Sequence, residues 1–263
     1  MKIATWNVNS IRTRQTQVLD WLQQHPVEVL CLQETKVVDD SFPRSPFAEA
    51  GYEMCISGQK SYNGVAILSR SSLENVTVGF TPILDAETVG IFDDQKRLIA
   101  ATVDGIRIIS VYVPNGGAYD SDKYHYKLQW LQLLRQYLES SIDKYPNLCI
   151  CGDFNLVPDD RDIHKPARPQ DFIVGTTTAE REALQEILPL DLVDAFREFT
   201  TEGGHYSWWD YRAASFRRNA GWRIDHHYIT PSLRDRAVAC IIDKQPRSQT
   251  KPSDHVPVIL ELK

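Results

Sequence analysis

Apolar residues in this chain gather into short, almost unbroken runs separated by polar stretches. VEVLCLQE, residues 27–34, is apolar or β-branched up to Cys31 and Leu32 and then turns polar, the profile of a strand covered on both faces with a polar tip. IATWNV, GVAILSR, RLIAATV, IRIISVYVPN, NLCICGDFN, RIDHHYIT and VPVILEL repeat that profile. A turn holding Gly105 separates RLIAATV from IRIISVYV, which predicts an antiparallel hairpin. Helical spacing is rarer. After the polar NSIRTR, QVLDWLQQH places Val18, Leu19 and Leu22 on one face and ends before Pro26. KYHYKLQWLQLLRQYLESSIDKY lines up Leu128, Leu131, Leu134 and Leu138 ahead of Pro146, and TAEREALQEILPL adds a shorter helix. Strands outnumber helices, and hairpins mix with strand-helix-strand units. Two sheets packed face to face with helices outside, an α/β architecture, suit this pattern better than a doubly wound sheet.

Polar loops at 36–48, 114–124, 157–180 and 199–223 are longer than a compact domain needs for connection alone, so they are candidates for function. No linker, repeat or low-complexity run interrupts the chain, and residues 1–263 are expected to form a single domain. At 263 residues a large core is available.

Charge and cysteine usage narrow the classes. A formal net charge of -6 speaks against a protein that holds nucleic acid by bulk charge, although a local patch or a divalent cation offsets such repulsion. YRAASFRRNAGWR carries Arg212, Arg217, Arg218 and Arg223 without an acid, and reads either as a solvated loop or as such a patch. No apolar run is long enough to span a membrane, and the first residues lack the apolar segment of a secretion signal, so a cytoplasmic protein is expected. The cysteines at 31, 55, 149, 151 and 240 lie mostly in apolar runs with no CxxC spacing. That favours buried free thiols in a reducing compartment over zinc or redox chemistry.

The polar residues around the strand ends carry more information. Asn7 and Asn9 stand in TWNVN, Glu34 ends CLQE, Tyr112 and Asn115 lie in VYVPN, Asp153 and Asn155 in CGDFN, and Asp225 in WRID. Asp254 and His255 precede the last strand. Singly, each has an ordinary use as a turn former, a cap, a packed tyrosine or a satisfied amide. Together they form a set of acids and amides with no lysine among them, which is costly to bury without a compensating cation. Oxygen donors suit Mg²⁺ or Mn²⁺, a hard cation suits a phosphate substrate, and a histidine exchanges a proton near neutral pH.

The motifs TWNVNSIR, LCLQETK, VYVPNG, CGDFNL, GWRIDHHYIT and KPSDHVPV, in this order, resemble those of the exonuclease III family of abasic-site endonucleases, within the DNase I-like endonuclease/exonuclease/phosphatase superfamily. YSWWDYR together with GWRID points to the exonuclease III branch. The resemblance implies a four-layer αββα sandwich of two packed mixed β-sheets flanked by helices. It implies one Mg²⁺, with Mn²⁺ as a substitute, on Glu34, with Asn7, Asp153, Asn155, Asp254 and His255 in or near its shell. Asn9 occupies a place where some relatives carry Asp.

By the same resemblance Asp153 orients or deprotonates the attacking water, Asn155 donates a hydrogen bond, and Asp225 fixes His255. Either Asp153 or His255 takes the water proton. Tyr112 and Asn115 touch phosphate; Trp208, Trp222 and Ile224 form an apolar pocket for a baseless deoxyribose, with Trp209 left to packing. Arg212 enters the DNA helix near the lesion, and Arg217, Arg218, Arg12 and Arg14 are candidates for backbone contacts. The implied partner is double-stranded DNA with abasic sites or blocked 3′ ends, acted on by a monomer. The expected reaction cuts the phosphodiester 5′ to an abasic site, with 3′-5′ exonuclease and 3′-phosphatase or phosphodiesterase action, or acts almost purely at 3′ ends. A superfamily phosphatase on a lipid or soluble substrate, and a binding module with a decayed site, are the competing classes.

Overall fold

The computed structural model describes residues 1–165, 172–188 and 191–263. The first sheet takes strands in the order β11 (Ala237–Ile242), β12 (Val258–Leu262), β1 (Lys2–Asn7), β2 (Val29–Gln33), β4 (Val65–Ser69), β3 (Glu53–Ser57). The second runs β5 (Glu74–Val78), β6 (Leu98–Val103), β7 (Ile106–Tyr112), β8 (Leu148–Asp153), β10 (Asp225–Ile229), β9 (Val193–Asp194). Both are mixed: β1 with β2 and β7 with β8 are parallel, and the other pairs are antiparallel.

Alternation along each central strand builds the layers. Ile3, Cys31, Ile67, Ile108, Cys151 and Leu260 point into the space between the sheets and form one core cluster. Their neighbours point outward. Trp6, Leu30 and Leu68 pack under α1 (Ile11–Gln24) and α2 (Arg44–Glu49) through Val18, Trp21, Leu22 and Phe47. Ile109, Val111 and Ile150 pack under α4 (Asp122–Ile142) and α5 (Thr178–Ile187) through Trp130, Leu134, Leu138 and Leu184. The fold is therefore the expected αββα sandwich. Short helices α3 (Ala86–Val89) and α6 (Pro231–Arg234) complete the element order. Among the described residues no helix is long and apolar enough to cross a membrane.

Each predicted strand forms, and the hairpin turns at Asp104 and Gly105, both in the left-handed region. Among the described residues four strands escape the apolar pattern, and all four are sheet edges: β3, β5, β9 and β11. An edge strand leaves one flank to solvent and carries polar residues, as ENVTV in β5 does, so it lacks the signature of a doubly covered strand. α1 also begins earlier than expected, at Ile11, which is fully buried while Arg12 and Thr13 face outward. In α4 the inner face is carried by Tyr124, Lys127, Leu131, Leu134 and Leu138, and Leu128 is only half-buried. Part of the expected 157–180 loop, residues 166–171, lies outside the described residues.

Candidate active site

Parallel pairing sends the C-terminal ends of β1, β2, β7 and β8 to the same end of the sandwich. Tyr112 stands beside Asp153 in the parallel register, and Asp225, the first residue of antiparallel β10, stands directly across from Asp153. Backbone geometry then departs from the regular. Asn9, Ser10, Glu34, Lys36 and Asn155 all adopt left-handed φ values between 43° and 88°. Such conformations, unfavourable for non-glycine residues, persist where surrounding contacts over-determine them.

Those contacts are explicit. The Asn7 amide donates to Glu34 Oε1 at 2.9 Å and to Asp153 Oδ2 at 2.8 Å, joining acids from both sheets. The Tyr112 hydroxyl donates to Glu34 Oε1 at 2.9 Å. The backbone N–H of Asn155 donates to Asp153 Oδ1 at 2.8 Å, and the Asn155 amide donates to the Val113 carbonyl at 2.9 Å. The Asn115 amide donates to Asn155 Oδ1 at 3.2 Å. His255 Nδ1 meets Asp225 Oδ2 at 2.9 Å, and its Nε2 stands 3.7 Å from Asp153 Oδ2. Asp254 accepts from the Asn9 amide and the Trp208 indole, each at 3.0 Å.

Burial and charge set the protonation states. Burial raises the Asp153 carboxyl, His255 pulls it back, and Asp225 and Glu34 add to the rise, leaving it at about 7. Burial alone lowers the His255 ring, but Asp225 and Asp153 outweigh it and raise the ring to about 10. For Glu34 burial acts upward, yet Lys36 and the Asn7 amide outweigh it and hold the carboxyl below its ordinary value. Near neutral pH the site thus holds an imidazolium, ionised Glu34 and an Asp153 poised to exchange a proton.

The ligand atoms of Glu34, Asp153 and His255 lie within 4.8 Å of one another. Two carboxylates in reach of one point are an oxygen set that fits a hard divalent cation, and an ammonium already stands in for one: Lys36 Nζ is 2.7 Å from Glu34 Oε2. This lysine corrects the expectation of a lysine-free acidic set. Asn7 and Asn155 flank the same point through their bonds to Asp153. Asp254 lines the same pocket, with its oxygens directed to Asn9 and Trp208. Asn9 contributes an amide, donating to Asp254 and accepting from Lys36 Nζ at 2.7 Å.

Beside these groups opens a pocket of about 250 Å³ whose apolar wall is Trp208, Trp222, Ile224 and Val174. The two indoles meet edge to face at 5.5 Å, a bridge pairs Trp208 with both Trp222 and His255, and Val157 and Ile163 pack behind. Trp209 is fully buried against Phe216 and Val256, a packing residue as expected. A larger cleft of about 590 Å³ adjoins across Asn115 and carries Tyr62, Arg97 and Lys123.

The expected basic patch divides. Arg212 is 92% exposed, and Arg217, Arg218 and Arg12 are exposed too. Arg223 is not part of a surface patch: its side chain is 1% exposed and is clamped between Asp162 and Asp194. Arg14 binds protein carbonyls, those of Asn9 and Pro252, so it braces the Asn9 turn. Sequence reasoning also missed Val174 and the serines that hold the backbone. Ser207 Oγ accepts from the N–H groups of Ile224 and Asp225, each at 3.0 Å, and Ser253 Oγ donates to the Asn7 carbonyl at 2.7 Å. Both serines sit inside quoted motifs, YSWWDYR and KPSDHVPV, but nothing local marks them as more than loop residues. The thiols show a further grouping: Cys149 and Cys151 lie near His227 of the adjacent strand, all buried between the sheets.

A model of the Endonuclease/Exonuclease/phosphatase family matches residues 4–255. The chain is 33% identical to exodeoxyribonuclease III of Haemophilus influenzae over the full length of both. Among solved structures it is similar to a 3′ phosphatase from Neisseria bound to a product DNA hairpin, with TM-score 0.94 and 40% identity over 100% of this chain and 99% of that one. It is equally similar to an AP endonuclease from Archaeoglobus fulgidus, with TM-score 0.93 and 41% identity over the same shares.

Proposed function

We propose, for a chain that belongs to the Endonuclease/Exonuclease/phosphatase family in its exonuclease III branch and is thus a metal-dependent DNA-repair nuclease, that it hydrolyses the phosphodiester 5′ to abasic sites in duplex DNA. The observation that carries this reading is the apolar pocket of Trp208, Trp222 and Ile224 opening directly beside the Asp153, Asn155 and His255 cluster. A sugar that has lost its base leaves the helix with little unstacking, and an apolar recess selects it over an intact nucleotide. A lipid or soluble phosphatase needs the acids but not this wall.

Glu34, with Asp153 beside it and the Asn7 amide steadying both carboxylates, would hold Mg²⁺ or Mn²⁺, which supplies charge neutralisation to the phosphate and the leaving 3′ oxygen. The chain's own groups do the rest. Asp153, near 7, accepts the proton of the attacking water. His255, kept protonated by Asp225, directs positive charge at the phosphoryl oxygens, and the Asn115 amide, held by one N–H on Asn155 Oδ1, offers its second N–H as a hydrogen bond. Exposed Arg212 enters the duplex near the lesion, and exposed Arg217 and Arg218 meet the DNA backbone. Water attack at a 3′ end uses the same groups, which supports accompanying 3′-5′ exonuclease and 3′-phosphatase action. The near-equal likeness to a 3′ phosphatase and to an AP endonuclease makes the balance an experimental question. Product analysis on an abasic duplex and on a 3′-phosphate duplex, with and without Mg²⁺, decides it. Incision 5′ to the abasic site is expected; release of 3′ phosphate alone would convert the reading to an end-specific enzyme.

A further inference from the structure

One charged side chain sits where the sandwich should be apolar. Lys127 occupies the inner face of α4, in line with Leu131, Leu134 and Leu138, and its side chain is 0% exposed. Burying an ammonium there is unfavourable unless its donors are matched, and a methionine would fill the same volume without that penalty. The ammonium has three donors, and three acceptors surround it. Nζ donates to the Asn155 carbonyl at 2.7 Å, to Glu180 Oε1, and at a longer 3.5 Å to the Asn115 carbonyl.

Its partner is equally occupied. Glu180, also 0% exposed, forms the capping box of α5 with Thr177. Its other oxygen, Oε2, accepts from the Gly175 N–H at 2.7 Å and the Thr177 N–H at 3.1 Å. Gly175 has φ +94°, and a Cβ there would lie 2.9 Å from the Trp222 ring and 3.2 Å from the Asn155 carbonyl. The turn that Glu180 holds is therefore the surface on which both Trp222 and Asn155 rest.

We infer that the buried Lys127–Glu180 pair is the positioning device of this site, setting Asn155, and the Asn115 amide bonded to it, against the Trp222 wall so that phosphate and sugar are gripped in one register. Lys127 is a positioning residue and touches neither. The inference rests on the proposed nuclease reading for its substrates, but not for its geometry. Loss of the ammonium frees the carbonyls of two loops at once, and displacements of about 1 Å at a reacting site lower turnover about a hundredfold.

The test uses the full chain on two substrates, an abasic duplex and a 3′-phosphate duplex. Lys127→Met is expected to lower kcat about a hundredfold on whichever the wild type cleaves, with KM within about threefold, because the exposed arginines that meet the duplex are untouched. Lys127→Arg, which keeps charge and donors, restores most of the turnover. The double variant Lys127→Met/Glu180→Gln separates positioning from stability: it removes the unpaired buried acid yet keeps the oxygen that accepts from Gly175 and Thr177. It should regain thermal stability while kcat stays low, and it carries the test if the single variant does not fold. Wild-type turnover in the double variant overturns the inference, as does a crystal structure of it with Asn155 and Gly175 unmoved. A wild type inactive on the abasic duplex would instead overturn the abasic reading, and the structural comparison would still decide the role of Lys127.

Discussion

His255 and Asp225 meet at 2.9 Å through Nδ1 and Oδ2, in a part of the molecule where both side chains are almost wholly buried. Among the described residues Oδ1 of the same aspartate has no hydrogen-bond partner, and the imidazole is the partner of Oδ2. A buried, singly partnered carboxylate is a strong source of negative potential, and it keeps the ring charged where it faces Asp153.

Removing that source tests the assignment of charge. Asp225→Asn should bring the His255 ring down from about 10 and lower turnover by about two orders of magnitude, with the ring pKa followed by NMR. A raised folded pKa contributes stability below the unfolded value of about 6.5 and loses it as pH rises through about 10, so the variant should also flatten the alkaline loss of stability. An unaltered ring titration would separate Asp225 from the histidine.

Asp153→Asn removes charge while retaining shape. Turnover should drop by about 10²-fold or more, and duplex binding, measured by fluorescence anisotropy with Mg²⁺ present, should persist. Unchanged turnover removes Asp153 from proton transfer.

Glu34→Ala addresses the cation. Glu34 and Asp153 are the two carboxylates of the oxygen set, so its loss should raise the Mg²⁺ concentration for half-maximal activity by about tenfold or more and weaken Mn²⁺ binding seen by electron paramagnetic resonance. If both titrations overlay those of the wild type, the cation sits elsewhere.

Trp222→Ala deletes half of the edge-to-face indole pair. Abasic incision should lose about tenfold more than 3′-phosphate release, because only the former lodges a sugar against that wall. Equal losses on both substrates would sink the pocket assignment.

Acid sensitivity has its own source in β10. Burial lowers His226 to about 4 and His227 to about 3, and the neutral His226 ring is fixed between the Arg223 carbonyl and the Tyr228 hydroxyl. Depressed folded values contribute stability above about 6.5 that is lost as pH falls toward 4 and 3, roughly 2 kcal/mol for each ring at pH 5. Urea unfolding from pH 7 to 5 should show less acid destabilisation in His227→Leu than in the wild type, by roughly 2 kcal/mol at pH 5. Parallel curves would mean another group governs acid unfolding.

The central strands, their polar tips and the αββα architecture were legible from residue order alone, because a strand covered on both faces writes its burial into its own composition, as VLCLQ in β2 does. So was the candidate site, since Asn7, Glu34, Tyr112, Asp153 and Asp225 each belong to or adjoin a strand end that the apolar runs delimit. Only the tertiary structure decided the edge strands, whose pairing is a property of their neighbours. It alone decided which charges meet. Lys36 on Glu34, Arg223 between two buried acids and Lys127 under Asn155 look, in one dimension, like any solvated lysine or arginine. What a charge does depends on the groups that replace its water, and those arrive from segments far away along the chain.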